Sequence, residues 1–313
     1  MNTGQIIGMI RKSCKLFAFQ LLNAPNSLQS SDPTKLKLHY KKSLLIAGLT
    51  YLTFSSTNAQ LGFELAGGPE HLSLGRATVS MKGLSSIFSN QAGLAYVNGF
   101  GIEVNALRRY NIQGLDIFSL GTALQVGDGA FGLTLAQYGF DTYREQKFAL
   151  AYARKMSRDF SASLQFDVMN VRVAEFGNRL FFSFEAGLYS EISKSVHLGV
   201  HIFSPAGVSL DEEYNIPARI RMGPKFILSP ELDIYVEFEK IIDLAPALKL
   251  GIDYGFRESF SLRFGVIPTL SEYSFGFNYR FQKAMEIRGS ASYDGLLGVS
   301  SGFGFAFYKE DHP

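Results

Sequence analysis

Apolar and polar residues alternate through most of residues 100–308, in runs that are separated by short turn sequences. The clearest run is FSASLQFDV at residues 160–168. Because side chains on a β-strand point to opposite faces in turn, each such run has one apolar face and one polar face. Two folds satisfy this pattern. One is a soluble β-sandwich, and the other is a closed membrane barrel with lipid outside and a polar lumen inside.

The N-terminal region contains a pattern that is typical of export. Lys41 and Lys42 precede the apolar stretch SLLIAGLTYL, and small and polar residues follow, ending with Thr57-Asn58-Ala59. A basic start, a short apolar stretch and a small-residue end describe a secretory signal peptide. The apolar stretch is shorter than the roughly 20 residues that a membrane-spanning helix needs. We therefore predict a presequence over residues 1–59, with the signal peptide at 41–59, cleavage after Ala59 and a start site assigned too far upstream for residues 1–40.

The presequence accounts for the basic character of the chain. It holds seven of the 30 Lys and Arg residues and one of the 28 Asp and Glu residues, so the remaining chain has an acidic excess of four. Nucleic acid is therefore not an expected partner. The only cysteine, Cys14, also lies in the presequence, and the mature chain is expected to lack disulfides.

Turn sequences divide the alternating region into fourteen predicted strands. Tight and looser connections follow one another in strict alternation, a rhythm typical of outer-membrane barrels with short periplasmic turns and longer external loops. The tight connections are predicted at residues 127–129, 157–159, 193–195, 229–231, 257–259 and 282–283, and the looser ones at 109–111, 141–146, 174–178, 204–215, 243–246, 268–272 and 294–298.

The composition of the two faces favours the barrel over the sandwich. The apolar face is rich in Phe, and the last strand carries Phe303, Phe305 and Phe307, similar to the C-terminal signal of outer-membrane assembly. The predicted fold is all-β: a 14-stranded antiparallel transmembrane β-barrel over residues 99–308 in the outer membrane of a Gram-negative bacterium. Residues 60–98, which alternate poorly and are rich in small residues, are predicted to form a plug in the lumen, and 309–313 a periplasmic tail.

Two short elements in the predicted plug resemble a known family. A Gly-Arg-Ala element followed by an Asn-Pro-Ala-Gly-Leu-Ala element resembles the FadL-type outer-membrane transporters of hydrophobic compounds, and within them the PorV/PorQ proteins of type IX secretion. Gln91 stands here where that family usually has Pro. The resemblance covers about twenty residues, and the matching residues are Gly75, Arg76, Ala77, Asn90, Gln91, Ala92, Gly93, Leu94 and Ala95.

The resemblance implies a plug and leaves three functions open. The first is an accessory barrel, linked to type IX secretion, that binds secretion-system or cargo proteins through its external loops. The alternative is passive transport of hydrophobic small molecules, which predicts a side opening or kinked strand. The third is a structural role in the envelope. We expect outer-membrane lipid as the surroundings, no cofactor and no enzymatic activity.

Charged residues fall on the polar face of consecutive predicted strands, so we expect them to line the lumen. They form either an ion-paired wall or a polar conduit. An apolar ligand tunnel would need apolar inward residues, which this half of the barrel lacks; the half with inward Ala149, Ala151 and Ala153 is less polar. The charged residues are Arg219, Arg221, Glu237, Glu239, Lys249, Asp253, Arg263 and Arg280, joined by Glu286 and Arg288.

Four further patterns are weak as site signatures. The G-x-G-x-x-G sequence at residues 127–132 precedes a strand rather than a helix, and G-x-S-x-G at 298–302 has only a short tail after it. His197 and His201 lie about 13 Å apart along one strand and are interpreted as isolated lumen histidines. The acidic residues of the longest external loop form either a solvated loop or a calcium site: Asp211, Glu212 and Glu213.

Overall fold

A computed structural model describes residues 66–309 apart from residues 176, 206, 207, 212, 213, 243, 258 and 283, and it describes no side chain between 206 and 216. The predicted presequence, its cleavage site and nearly all of the predicted tail lie outside the described residues, as do Glu212 and Glu213. No helix among the described residues has the length and apolar character needed to cross a membrane.

Fourteen strands form a closed antiparallel barrel, which confirms the predicted fold class. Each strand pairs with its neighbour in the chain, and β1 closes the barrel against β16; β8 and β9 form a separate hairpin. The strands are β1 (Phe100–Arg108), β2 (Asp116–Val126), β3 (Gly129–Gly139), β4 (Tyr143–Ser157), β5 (Phe160–Val173), β6 (Gly177–Ser193), β7 (Val196–Phe203), β8 (Val208–Asp211), β9 (Tyr214–Ile216), β10 (Arg219–Ser229), β11 (Leu232–Ile241), β12 (Ala247–Arg257), β13 (Phe260–Ile267), β14 (Glu272–Phe281), β15 (Met285–Asp294) and β16 (Gly298–Lys309).

The barrel wall is taller at β4, β5 and β6 than the sequence predicts. These strands have 15, 14 and 17 residues, whereas about 9–11 residues cross a membrane. Two predicted loops are therefore partly wrong: residues 143–146 belong to β4, and residues 177–178 belong to β6. Polar residues there resemble a loop in sequence, but cross-strand pairing such as Gln137 with Gln146 continues the sheet through them.

The outward face of the wall is apolar and exposed. Phe238 is 55% exposed, Phe264 47% and Tyr273 60%, while the inward residues Glu237, Arg263 and Glu272 that precede them are buried. Soluble proteins rarely expose contiguous apolar patches larger than a few hundred Å². An apolar surface around a whole barrel is therefore expected to face lipid.

A chain segment before β1 fills much of the lumen; we call residues 66–99 the plug segment. It contains helix α1 (Gly68–Ser73) and 3-10 helices at Leu84–Phe88 and Gln91–Tyr96, whose residues are almost all buried. Further 3-10 turns at Arg109–Asn111 and Pro268–Leu270 lie in loops.

Small inward residues of the wall make room for the plug segment. Leu84, Ile87 and Leu94 pack against the inward alanines of β2, β3, β4 and β16 in one buried apolar cluster. Ala151 and Ala153, which the sequence left available for an apolar tunnel, are therefore covered by the plug segment.

Candidate functional site

The first plug element turns the segment sharply where it meets the wall. Gly75 has a φ of +59°, and a Cβ there would lie 2.8 Å from the backbone nitrogen of Val266, so both its conformation and its space require glycine. Arg76 forms a salt bridge with Glu272 on β14, and Ala77 packs in a buried cluster with Tyr235 of β11. This element holds the segment against β11–β14.

The second plug element fixes the 3-10 helix at Gln91–Tyr96. Asn90 caps this helix by accepting from Ala92 N–H at 3.3 Å, and its amide donates to the carbonyls of Val79 and Leu188 at 2.8 and 2.9 Å. Gly187 leaves the space for that amide, because a Cβ there would lie 2.1 Å from Asn90 Oδ1.

The rest of the second element also makes structural contacts. Gln91 donates to Glu185 Oε2 at 2.9 Å, and the carbonyl of Ala92 accepts from Ser161 Oγ at 2.8 Å. Gly93 is close to the carbonyl of Met81, while Leu94 and Ala95 are buried in the apolar cluster. All nine predicted motif residues therefore contact either the wall or the plug segment itself.

Glu237 on β11 is a buried anchor for the plug segment. The backbone N–H groups of Thr78 and Val79 both donate to its Oε2 at 2.8 Å. Lys249 Nζ lies 3.3 Å from Glu237 Oε1 and 2.9 Å from Glu239 Oε2. Because these donors are buried, no water molecule can replace the carboxylate as their hydrogen-bond acceptor.

Glu70 of α1 joins a second anchor made of wall arginines. Its carboxylate lies 3.1 Å from Arg263 Nη2 and 2.7 Å from Arg288 Nη1, and it accepts from Ser85 Oγ at 2.7 Å. Burial alone would raise the pKa of Glu70, but attraction by Arg288 and Arg263 outweighs it and lowers the pKa to about 2. Arg288 also binds Glu103 of β1 at 2.8 Å.

His71, beside Glu70, is buried and neutral at pH 7. Burial lowers its pKa to about 4, although its hydrogen bond to the Ser85 carbonyl and the charge of Glu70 oppose this shift. In the lumen, Glu70 is therefore negatively charged, and His71 is a neutral ring.

The charged residues that were predicted to line the lumen form several separate groups of ion pairs and hydrogen bonds. Glu237, Glu239 and Lys249 form one group, to which Arg219 adds a longer contact of 3.9 Å. Arg263 binds Asp253 at 2.8 Å as well as Glu70. Arg221 reaches the carbonyl of Ser89 and His201, and Arg280 binds Glu286 at the turn end of the barrel. Most of these ion pairs join residues of the wall, and Glu70 and Arg76 connect the plug segment to them.

A further buried charge cluster was not predicted from the sequence. Lys147 lies 3.1 Å from Asp167 and also binds Glu185, whose Oε2 is 2.8 Å from His201 Nε2. The two histidines face the lumen, and each has its own hydrogen-bond partners: His201 also contacts Arg221, and His197 lies 2.7 Å from the Tyr189 hydroxyl. Inward position on β4–β7 was the signal that could have identified these residues.

The predicted acidic loop has a different form from the expected one. Residues 204–215 contain the β8–β9 hairpin, and Asp211 ends β8. The choice between a solvated loop and a calcium site stays a prediction, because Glu212 and Glu213 are outside the described residues.

Above the plug segment, at the loop end of the barrel, the inner wall becomes apolar. Met169, Val171 and Phe181 are buried together, with Tyr143, Val173 and Phe203 against them. Leu72 of α1 lies in a second buried apolar cluster with Leu107, Ile117 and Tyr138, and the Tyr138 ring meets that of Tyr143 edge-on at 6.5 Å. We call these residues the apolar vestibule.

A reversal of the alternation within β5 marks the apolar vestibule in the sequence. Within β5 the polar residues face inward up to Asp167, and from Met169 onward the order reverses. Met169, Val171 and Val173 then face the lumen, while Asn170 and Arg172 face outward. The loop end of this strand therefore has polar outward residues and apolar inward residues, the polarity expected of a wall that stands above the membrane.

The side opening expected of a transporter is not seen in the described wall. Paired residues follow one another without gaps in all barrel ladders except that of β10 and β11, apart from single shifts next to turns. There the pairing passes from Met222–Phe238 to Lys225–Tyr235 and omits Gly223 and Pro224. Since Pro224 has no N–H to donate, the ladder is weaker there, but the strands stay close.

Comparisons with known proteins identify the fold. No family model matches the sequence, and no curated protein matches it. The CymD monoaromatic hydrocarbon channel has a TM-score of 0.63 at 12% identity, over 79% of this chain and 98% of that chain. The Ralstonia pickettii toluene transporter TbuX gives 0.61 at 11%, over 78% and 98%, and a Pseudomonas aeruginosa FadL homologue 0.57 at 12%, over 78% and 98%.

These similar structures are channels and transporters rather than enzymes, and their low identity establishes a likeness of fold alone. They support the FadL-type resemblance at the level of the barrel fold. The PorV/PorQ part stays a prediction.

Proposed function

We propose that this chain is an outer-membrane channel that carries apolar small molecules, with the apolar vestibule as their entry site. The observation that supports this most directly is the buried apolar cluster of Met169, Val171 and Phe181 on the inner wall at the loop end, because apolar side chains of this kind line the sites that bind apolar ligands. The fold likeness to a hydrocarbon channel and a toluene transporter favours the same ligand class.

The orientation in the membrane follows from the same proposal. Short turns and both ends of the barrel sequence lie at one end, which we place in the periplasm, and the longer loops lie at the other. The apolar vestibule then faces the outside of the cell.

Passage requires a rearrangement of the structure. The described wall is closed and the plug segment occupies the lumen below the apolar vestibule. Opening the wall would leave backbone groups unpaired in lipid, which costs several kcal/mol per group. Displacement of the plug segment, whose polar anchors can be hydrated, is the route we favour.

Ligand binding is tested with a tryptophan reporter, since the chain contains no Trp. Phe181→Trp places the reporter in the apolar vestibule, and Phe264→Trp places it on the outward face of β13. Titration of the purified barrel with toluene should change the emission of Phe181→Trp to saturation. The control should change only in proportion to toluene dissolved in the detergent. A linear response in both variants would contradict the proposal.

Transport is tested with Val171→Asp, which puts a charge into the apolar vestibule. Uptake of labelled toluene by Gram-negative cells that produce this variant should fall to the level of cells without the protein, while Val171→Ala retains most uptake. Equal surface amounts of both barrels are required. Unchanged uptake by Val171→Asp would refute the entry site.

The accessory role in type IX secretion is the second candidate. The observation that favours a partner is the β8–β9 hairpin, a folded element within the longest loop at the loop end. Deletion of residues 205–216 should remove any protein that co-purifies stoichiometrically with the barrel from native membranes and leave toluene binding intact. Absence of such a protein with the complete chain would leave this role without a basis.

A further inference from the structure

The outward face of β3, β4 and β5 is polar near the loop end. Gln137, Gln146 and Asn170 lie opposite one another across the three strands and all point away from the lumen. Gln146 donates to Gln137 at 3.2 Å, and Asn170 donates to Gln146 at 3.4 Å. The three amides form a hydrogen-bonded row just above the apolar part of the wall.

Two arginines stand directly above this row. Arg144 and Arg172 face each other in the register of β4 and β5 and both point outward. Arg144 contacts Asp141 at 3.1 Å, yet its Nε is buried and has no hydrogen-bond partner among the described residues. Like charges directly opposite on adjacent strands destabilise a sheet. The arrangement therefore favours an additional anion.

An apolar groove lies directly below the row. Its volume is about 620 Å³, within the range of sites that bind small molecules. The arginines lie two residues above the amides, and the amides lie two residues above the apolar side chains, so each step is about 7 Å along the strands. The groove is lined by the outward residues Val104, Phe118, Leu120, Leu135, Phe148 and Val168.

We propose that this surface binds one anionic lipid of the surrounding leaflet. Arg144 and Arg172 bind its phosphate, the amide row binds the polar groups at the base of the headgroup, and an acyl chain lies in the groove. Arginine pairs bind phosphate oxygens through short charge-assisted hydrogen bonds. The phosphate also relieves the repulsion between the two guanidinium groups. The site rests on the orientation proposed above but not on transport.

The test uses native mass spectrometry of the purified full chain in a neutral detergent. Phosphatidylglycerol and phosphatidylcholine with identical acyl chains are the probes. We expect the unaltered protein to retain one phosphatidylglycerol at concentrations where phosphatidylcholine is lost. The double variant Arg144→Gln/Arg172→Gln should weaken phosphatidylglycerol binding about tenfold or more and remove the preference.

Arg158→Gln is the matched control, because Arg158 is an exposed arginine in the tight turn at the opposite rim. It should leave the preference unchanged, and heat-dependent migration in detergent gels verifies that all variants fold. Equal binding of the two lipids by the unaltered protein, or an equal loss in Arg158→Gln, would overturn the proposal. Displacement of the lipid by millimolar inorganic phosphate would show an anion site without an acyl seat and would also overturn it.

Discussion

Removal of the Glu237 carboxylate should release the plug segment locally without unfolding the barrel. In Glu237→Ala the N–H groups of Thr78 and Val79 lose their acceptor, and Lys249 keeps Glu239 as an ion-pair partner. Hydrogen bonds to a charged group contribute about 1.5–3 kcal/mol each. Loss of two such bonds makes the docked plug segment less stable by about 3 kcal/mol or more.

Hydrogen exchange followed by mass spectrometry measures this change. When exchange occurs through local opening, its rate follows the opening equilibrium. A loss of about 3 kcal/mol corresponds to roughly a hundredfold faster exchange. We expect this acceleration in peptides that cover residues 74–83 and not in peptides from β5 or β15. Glu237→Gln keeps one acceptor oxygen, so its exchange rate in residues 74–83 should lie between that of Glu237→Ala and that of the unaltered protein.

Glu191→Ala is the matched control for Glu237→Ala. Glu191 pairs with Lys82 of the same plug segment at 2.9 Å, but these side chains are 26% and 43% exposed. Exposed ion pairs contribute at most about 1 kcal/mol, so exchange should rise less than about fivefold. Equal protection in Glu237→Ala and the unaltered chain would refute the anchor, and so would equal acceleration in both variants.

Two further predictions concern the same segment. Gly199→Ala should accelerate exchange around Val79, because a Cβ at residue 199 would lie 2.0 Å from the Val79 carbonyl; Gly302→Ala, whose Cβ would meet atoms no closer than 3.3 Å, should not. Acidification should also loosen α1. The pKa of His71 is lowered from 6.5 to about 4, so the unfolded segment binds more protons below pH 6.5 and docking weakens by up to about 3 kcal/mol as the pH falls to 4. His71→Asn should remove this pH dependence of the protection factors, which are exchange rates corrected for the intrinsic effect of pH, in residues 68–73, and an unchanged dependence would contradict the assignment.

The turn sequences were a reliable guide to the number of strands and a poor guide to their length. Tight turns such as residues 127–129 and 157–159 are local features, and they end strands where the sequence predicts. Residues 143–146 resemble a loop because their polar side chains stand on a wall above the apolar zone, and local sequence does not distinguish such a wall from a loop.

The candidate site was less accessible to sequence reasoning. The inward charges of β10–β15 could be identified from period-two alternation, but their partners could not. Glu70 meets Arg263 and Arg288, which lie 193 and 218 residues later in the chain. The reversal of polarity at Met169 carried the signal of the apolar vestibule, and it became interpretable only once the inner and outer faces of β5 were known.

The sequence by itself determined that this chain forms fourteen alternating strands with one apolar face, because side-chain direction along a strand depends only on the local backbone. Only the tertiary structure decided what fills the enclosed space. Closure of the barrel brings β1 against β16 and places a plug segment against side chains from almost every strand. Those contacts fill the half of the lumen formed by β10–β15 with buried ion pairs and the other half with the apolar cluster around Leu84, Ile87 and Leu94, because side chains distant in sequence meet only when the barrel closes around the plug segment.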